Sequence, residues 1–251
     1  MTEEFTNETN LEKFKKVCHK YLVIGNDEYI DVIFGVIFAN RLDSKPVWLY
    51  LVSSPSSGKT EIVQSLSSSP VIYSLSHLTA NTLISGKILK EGEKDPSLLP
   101  KLDGKTLIIK DLTALLSGRR ETLMEIMGQL RDAYDGTAKK VFGTGKETEY
   151  KSKFGVIAAV TNIIDKHSGI LAALGERFIT YRCPTPSEEE QRKRCFVASH
   201  NTKVRQQEQE MSEAANAVLS NNNTKIPELS DSFIEKIIDV ASFVAKARCS
   251  V

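Results

Sequence analysis

The chain has 251 residues, 41% hydrophobic and 26% charged, with a formal net charge of +1. That length holds one large α/β core plus a small appended domain, and the near-neutral charge excludes a globally basic nucleic-acid-binding surface, so any basic patch must be local. Glu3, Glu4 and Glu8 stand where a secretory signal would need positive charge, and the apolar run Val32–Ala39 is too short to span a bilayer, so a cytoplasmic protein with no membrane role is expected. Cys18, Cys183, Cys195 and Cys249 lack metal-ligand spacing and read as reduced thiols. His19, His77, His167 and His200 are equally dispersed and read as surface or core residues.

In chain order, a helical stretch from about Leu11 to Asn40 leads in and Pro46 breaks it. The first strand is Val47–Val52, the second Val71–Leu75 and the third Lys105–Lys110, with a polar loop from Gly86 to Gly104 before the third. A helix from Arg119 to Ala133 follows, then an insert from Asp135 to Lys153, a strand over Phe154–Thr161 and a short strand over Arg177–Arg182. Strands alternating with helices imply a mostly parallel sheet covered on both faces. Pro184 and Pro186 end the sheet, and Ser187 with Glu190 forms a capping box that opens a helix of mixed charge. After Asn221–Asn223, an amphipathic helix over Ser232–Arg248 carries Phe233, Ile237, Val240, Ala241 and Val244 on one stripe. The expected organisation is a helical lead-in (1–45), an α/β core (46–186) and an all-helical C-terminal piece (187–251).

The segment Ser53-Ser54-Pro55-Ser56-Ser57-Gly58-Lys59-Thr60 lies between the first strand and Glu61–Leu66, in the order strand, loop, helix. A loop that enters a helix turns several backbone N–H groups toward one point, where phosphate settles. Lys59 would reach the β- and γ-phosphates and the Thr60 hydroxyl would ligate Mg²⁺. Ser53 stands where the usual pattern begins with glycine. Asp111 ends the third strand beside that loop, where a Mg²⁺ partner is expected. The next residues are Leu112 and Thr113 rather than an acid, so either another carboxylate, Glu121 or Asp103, activates water or hydrolysis is slow. Asn162, at the end of the fourth strand, can hydrogen-bond the γ-phosphate or the attacking water, although an Asn there also serves as a cap or turn former. Arg177, at the start of the fifth strand, could stabilise transition-state charge on a neighbouring subunit's nucleotide or pair with a local acid.

Together these motifs resemble the AAA+ ATPases. The stretches LLPKLDGKTLIIKDLT, LRDAYDGTAKKVFGTG, GVIAAVTNIID and LGERFITYR are similar to ATPases of phages and mobile elements, distantly like minichromosome-maintenance helicases. The resemblance implies a nucleotide-driven homo-oligomeric ring using ATP and Mg²⁺. Its α/β core would be a five-stranded sheet in the order 5-1-4-3-2, with helices on both faces and a small all-helical lid. It assigns Asn162 as sensor one and Arg177 as arginine finger, and leaves Arg248 the tempting lid arginine. The abrupt ending at Ala247–Val251 suggests a further C-terminal domain.

The insert Lys139–Lys153 reads as a β-hairpin with a Gly-Thr-Gly tip and carries an excess of three positive charges. In helicase-like members of the resembled family such a hairpin grips nucleic-acid backbone, which points to Lys140 and Lys146 as DNA contacts and Phe142 as a stacking or wedge residue. A solvated hairpin without a ligand is the plainer reading. Three function classes follow: a DNA helicase or replication-initiation ATPase, an ATP-dependent protein-remodelling or switch module that does not move DNA, and a nucleotide-binding structural protein with little turnover.

Overall fold

The structure is a computed structural model that describes residues 8–55, 57–143, 145–172, 177–221 and 228–249. Strands β1 (Trp48–Val52), β2 (Ile72–Leu75), β3 (Thr106–Ile109), β6 (Gly155–Val160) and β7 (Phe178–Arg182) form one sheet, and β4 (Thr137–Val141) pairs with β5 (Glu147–Lys151) in a separate antiparallel hairpin. Every pairing in the main sheet is parallel. Its order is β7-β1-β6-β3-β2. These labels differ from the expected 5-1-4-3-2 because the hairpin adds two strands ahead of β6 that pair only with each other. Along the main sheet alone, the order runs fifth, first, fourth, third, second.

The central strands β1, β3 and β6 are fully buried and almost wholly apolar because both their faces are covered, whereas the edge strands β2 and β7 carry polar and partly exposed residues. Trp48, Tyr50 and Val52 of β1 point into one core, and Leu49 and Leu51 into the other. The first core is closed by α7 (Arg120–Tyr134) and by residues of the segment between β2 and β3. There the Trp48 indole N–H donates to the Phe154 carbonyl at 2.8 Å, and the ring packs edge-on against Tyr134. The second core is closed by α1 (Asn10–Tyr21), α2 (Glu28–Ala39), α3 (Lys59–Ser65) and α10 (Val204–Leu219), the last through Met211, Ala215, Val218 and Leu219. Helix α10 therefore shares its core with the N-terminal helices and the sheet.

Several elements differ from the sequence expectation. The lead-in is two helices broken over residues 22–27, where Leu22 turns extended and the Asn26 side chain accepts from the Glu28 N–H at 2.8 Å. The 86–104 loop contains α5 (Leu99–Leu102), held by burial of Leu98, Leu99 and Leu102, and the short α4 (Ala80–Leu83) precedes it. Short helices also follow β3 and β6, α6 (Thr113–Leu116) and α8 (Ser168–Ala172). The capping box of Ser187 and Glu190 opens α9 (Glu188–His200), which ends at Asn201 before α10 begins. The last helix is α11 (Asp231–Cys249). Its apolar residues Phe233, Ile237, Val240 and Val244 are exposed. Among the described residues, no helix is long and apolar enough to cross a membrane.

Candidate functional site

Parallel strands deliver their C-terminal ends to one edge of the sheet, and three adjacent strands do so here. The phosphate-type loop follows β1, Thr161 and Asn162 follow β6, and Asp111 follows β3. Ser53 is buried, its N–H donates to the Val160 carbonyl at 3.1 Å, and its hydroxyl lies 2.7 Å from that of Ser57. The serine that replaces the usual glycine thus closes the loop with a side-chain hydrogen bond. Gly58 has φ +82°, in the left-handed region where a Cβ strains the backbone, and it caps α3. Ser54, Pro55 and Ser57 complete the described loop, and Ser56 lies outside the described residues.

Lys59 begins α3 and is buried, with its ammonium 3.4 Å from the Ser54 carbonyl. Burial pushes its pKa below the usual lysine range, while the neighbouring Cys183 and Asp111 pull the other way. Thr60 is exposed at the mouth of the loop.

Asp111 is exposed, and its carboxylate accepts from the Thr113 N–H at 2.8 Å, which fixes its direction. The segment is tied to the end of β6. The Leu112 N–H donates to the Ala159 carbonyl at 2.8 Å, and the Thr161 N–H donates to the Thr113 hydroxyl at 3.3 Å. Asn162 then starts a 3-10 turn with its side chain exposed.

Two cavities flank the loop. One of about 400 Å³ is lined by Gly58, Lys59, Thr60, the α1 end and Arg194 of α9, and another of about 310 Å³ by Ser57, Lys59, Tyr29, Cys183 and Arg194. Arg194 is anchored by a hydrogen bond from its Nε to the Val23 carbonyl at 3.0 Å, inside the break between α1 and α2. Sequence reading missed this residue and pointed to Arg248, whose side chain lies outside the described residues. The sequence carries no signal for it, because α9 has no buried face that would orient Arg194. Burial raises the Cys183 thiol to about 11, so it stays protonated at neutral pH.

Arg177 stands elsewhere. It precedes β7, and Phe178 is in register with Trp48, so it sits at the opposite edge from the loop, about 16 Å away along the strand. Its guanidinium holds Asp135, with N···O distances of 2.9 and 3.2 Å, and lies over the Tyr134 ring. The neighbouring Glu176 lies outside the described residues. Asp103, offered as a water-activating acid, is also at the opposite edge, accepting from the Lys153 N–H at 2.9 Å.

The hairpin's expected DNA contacts are engaged within the chain. Lys140 forms a 2.7 Å ion pair with Glu125 of α7 and lies over the Phe142 ring, and Lys146 donates to the Ser85 and Lys87 carbonyls at 3.2 and 2.7 Å. Lys139 pairs with Glu147. Phe142 packs against the first core and over Gly86, where any Cβ would meet its ring at 2.7 Å. Tyr150 donates to the Asp95 carboxylate and accepts from the Ser97 hydroxyl, which fastens the hairpin to the same loop. Thr144 of the tip lies outside the described residues. No protein-family model and no curated protein matches the chain.

Proposed function

We propose that this chain is an ATP-binding and ATP-hydrolysing P-loop protein of the AAA+ type. The observation that carries this reading is a buried lysine that opens α3 directly after the loop leaving the central strand β1, at the sheet edge where the ends of β6 and β3 also deliver Asn162 and Asp111. Phosphates would lie along residues 53–60, with Lys59 opposite the β- and γ-oxygens. Thr60 and Asp111 offer one hydroxyl and one carboxylate oxygen, a donor set suited to a hard divalent cation that keeps several waters, so these two would hold Mg²⁺. Asn162 would orient the γ-phosphate or water, and Arg194 would meet the nucleotide from α9. Arg177 is too far along β7 to serve the nucleotide of its own chain and would act in a neighbouring subunit of a ring.

On this reading the machine works on DNA, as a helicase or replication-initiation ATPase of a phage or mobile element, with the lysine-bearing hairpin as the gripping element. A second reading, a protein-remodelling or switch module, is favoured by one observation: Lys140 and Lys146 are tied to Glu125 and to backbone carbonyls rather than presented to solvent. Steady-state ATPase assays with and without single-stranded and duplex DNA separate the two. Stimulation by DNA supports the motor; ATP turnover indifferent to DNA supports the switch. Failure to bind MgATP refutes both.

A further inference from the structure

The second cavity beside the phosphate-type loop, about 310 Å³, takes its lining from three places: Ile24 and Asn26 of the break between α1 and α2, Ser57 and Lys59 of the loop, and Pro184 and Pro186 of the chain leaving β7. Most of its polar side chains have partners within the chain. Ser57 meets the Ser53 hydroxyl, Lys59 donates to the Ser54 carbonyl, the Asn26 side chain accepts from the Glu28 N–H, and Arg194 donates to the Val23 carbonyl.

Tyr29 differs. It lines the same cavity from the start of α2, is 5% exposed, and among the described residues its hydroxyl has no hydrogen-bond partner. Burial, with a further push from the neighbouring Cys183, raises the phenol above its ordinary range, so it remains a neutral hydroxyl able to donate and to accept. A buried hydroxyl without a partner is costly, and in a cavity wall it calls for one from outside the chain. In the larger cavity the buried Gln207 accepts from Asn201, and Tyr21 is partly buried beside Lys20 and Glu210.

A triphosphate seated on the loop leaves its other end to be placed. The Tyr29 cavity shares Ser57 and Lys59 with that seat, and Ile24, Pro184 and Pro186 give it apolar walls suited to a heterocycle. We propose that this cavity takes the nucleoside end of the triphosphate and that the Tyr29 hydroxyl hydrogen-bonds it, so that Tyr29 favours nucleotides over bare polyphosphate. The inference rests on the phosphate-loop reading proposed above.

Isothermal titration of the full chain with ATP and with inorganic triphosphate, each with Mg²⁺, tests it. The parent is expected to bind ATP more tightly than inorganic triphosphate. Tyr29→Phe is expected to lose about three- to tenfold in ATP affinity and nothing in triphosphate affinity. Its Tm without ligand should equal or exceed the parent's, because the hydroxyl removed had no partner. A second readout uses the parent alone. Cys183 lines the same cavity with its thiol raised to about 11, and its alkylation by N-ethylmaleimide at alkaline pH, followed by mass spectrometry of its peptide, should be slowed by ATP and not by inorganic triphosphate. Equal ATP affinity in parent and Phe variant, equal losses for both ligands, a lower ligand-free Tm, or Cys183 protection that is absent with ATP or as strong with triphosphate would each overturn the assignment. A parent that binds neither ligand overturns the phosphate-loop reading itself, and the Tyr29 role with it.

Discussion

Replacing Lys59 by Met should move two properties in opposite directions. In the free protein the ammonium is buried and, among the described residues, donates one hydrogen bond, at a long 3.4 Å. Desolvation holds its pKa below 10.5. A methionine of similar length removes that poorly satisfied charge, so the free variant should be as stable as the parent or more stable by about 1–2 kcal/mol. In a chain of this size each kcal/mol is worth about 2–4 °C in Tm. The folded state releases the Lys59 proton at lower pH than the unfolded state does. The penalty is therefore present in full below the folded pKa and fades as pH rises from there to 10.5, and the gap between variant and parent should narrow over that interval. Ligand reverses the ranking. At MgATP about 100 times its Kd the parent gains about 2.7 kcal/mol, or roughly 5–10 °C, and the variant should gain almost nothing. Differential scanning fluorimetry with and without MgATP reads both effects. A Met variant that shows the parent's full MgATP shift would refute the role given to Lys59.

Asp135→Asn separates the two roles of Arg177. An arginine acting on a neighbour's nucleotide predicts lost turnover in Arg177→Ala, near-normal turnover in Asp135→Asn, and partial recovery when Arg177→Ala and Lys59→Ala subunits are mixed, whereas equal losses in both variants mean a local structural pair. For DNA, Lys140→Gln combined with Lys146→Gln should lower the salt slope of binding by about two units, and Glu125→Gln, which frees Lys140, should raise affinity; an unchanged slope in the double variant together with unchanged affinity in Glu125→Gln would remove the hairpin from DNA binding. Hydrogen bonds from Lys20 and Gln206 hold the Glu210 carboxyl at about 2, against an ordinary 4.5, where α1 meets α10. Its folded pKa is depressed, so its contribution is complete above pH 4.5 and is lost as pH falls toward 2; acid unfolding of Glu210→Gln should show less pH dependence over that window than the parent, and identical curves would contradict it.

The parts of this fold that could be read in the chain are those whose cause is local. Trp48–Val52 and Gly155–Val160 read as buried strands because parallel strands covered on both faces need unbroken apolar runs, and both lie fully buried. The strand, loop, helix order around residues 53–60 was legible from consecutive residues, and Ser187 with Glu190 from a capping box spaced within one turn. What escaped depends on distant partners. The break at residues 22–27 lies between two runs that each satisfy helical periodicity, so periodicity does not mark it. Lys140 and Lys146 looked free because Glu125 and residues 85–87 are far along the chain. Arg194 belongs to no motif. It acquires a place only when α9 folds back over the loop.

The central claim is that one nucleotide site is assembled from the β1–α3 loop, the end of β3 and α9. A structure of the protein with Mg²⁺ and a non-hydrolysable ATP analogue tests it most directly. The account predicts phosphates against residues 53–60 within hydrogen-bonding reach of Lys59, the cation between Thr60 and Asp111, and Arg194 facing the nucleotide. An analogue bound away from Lys59, or a cation held without Thr60 and Asp111, would contradict it.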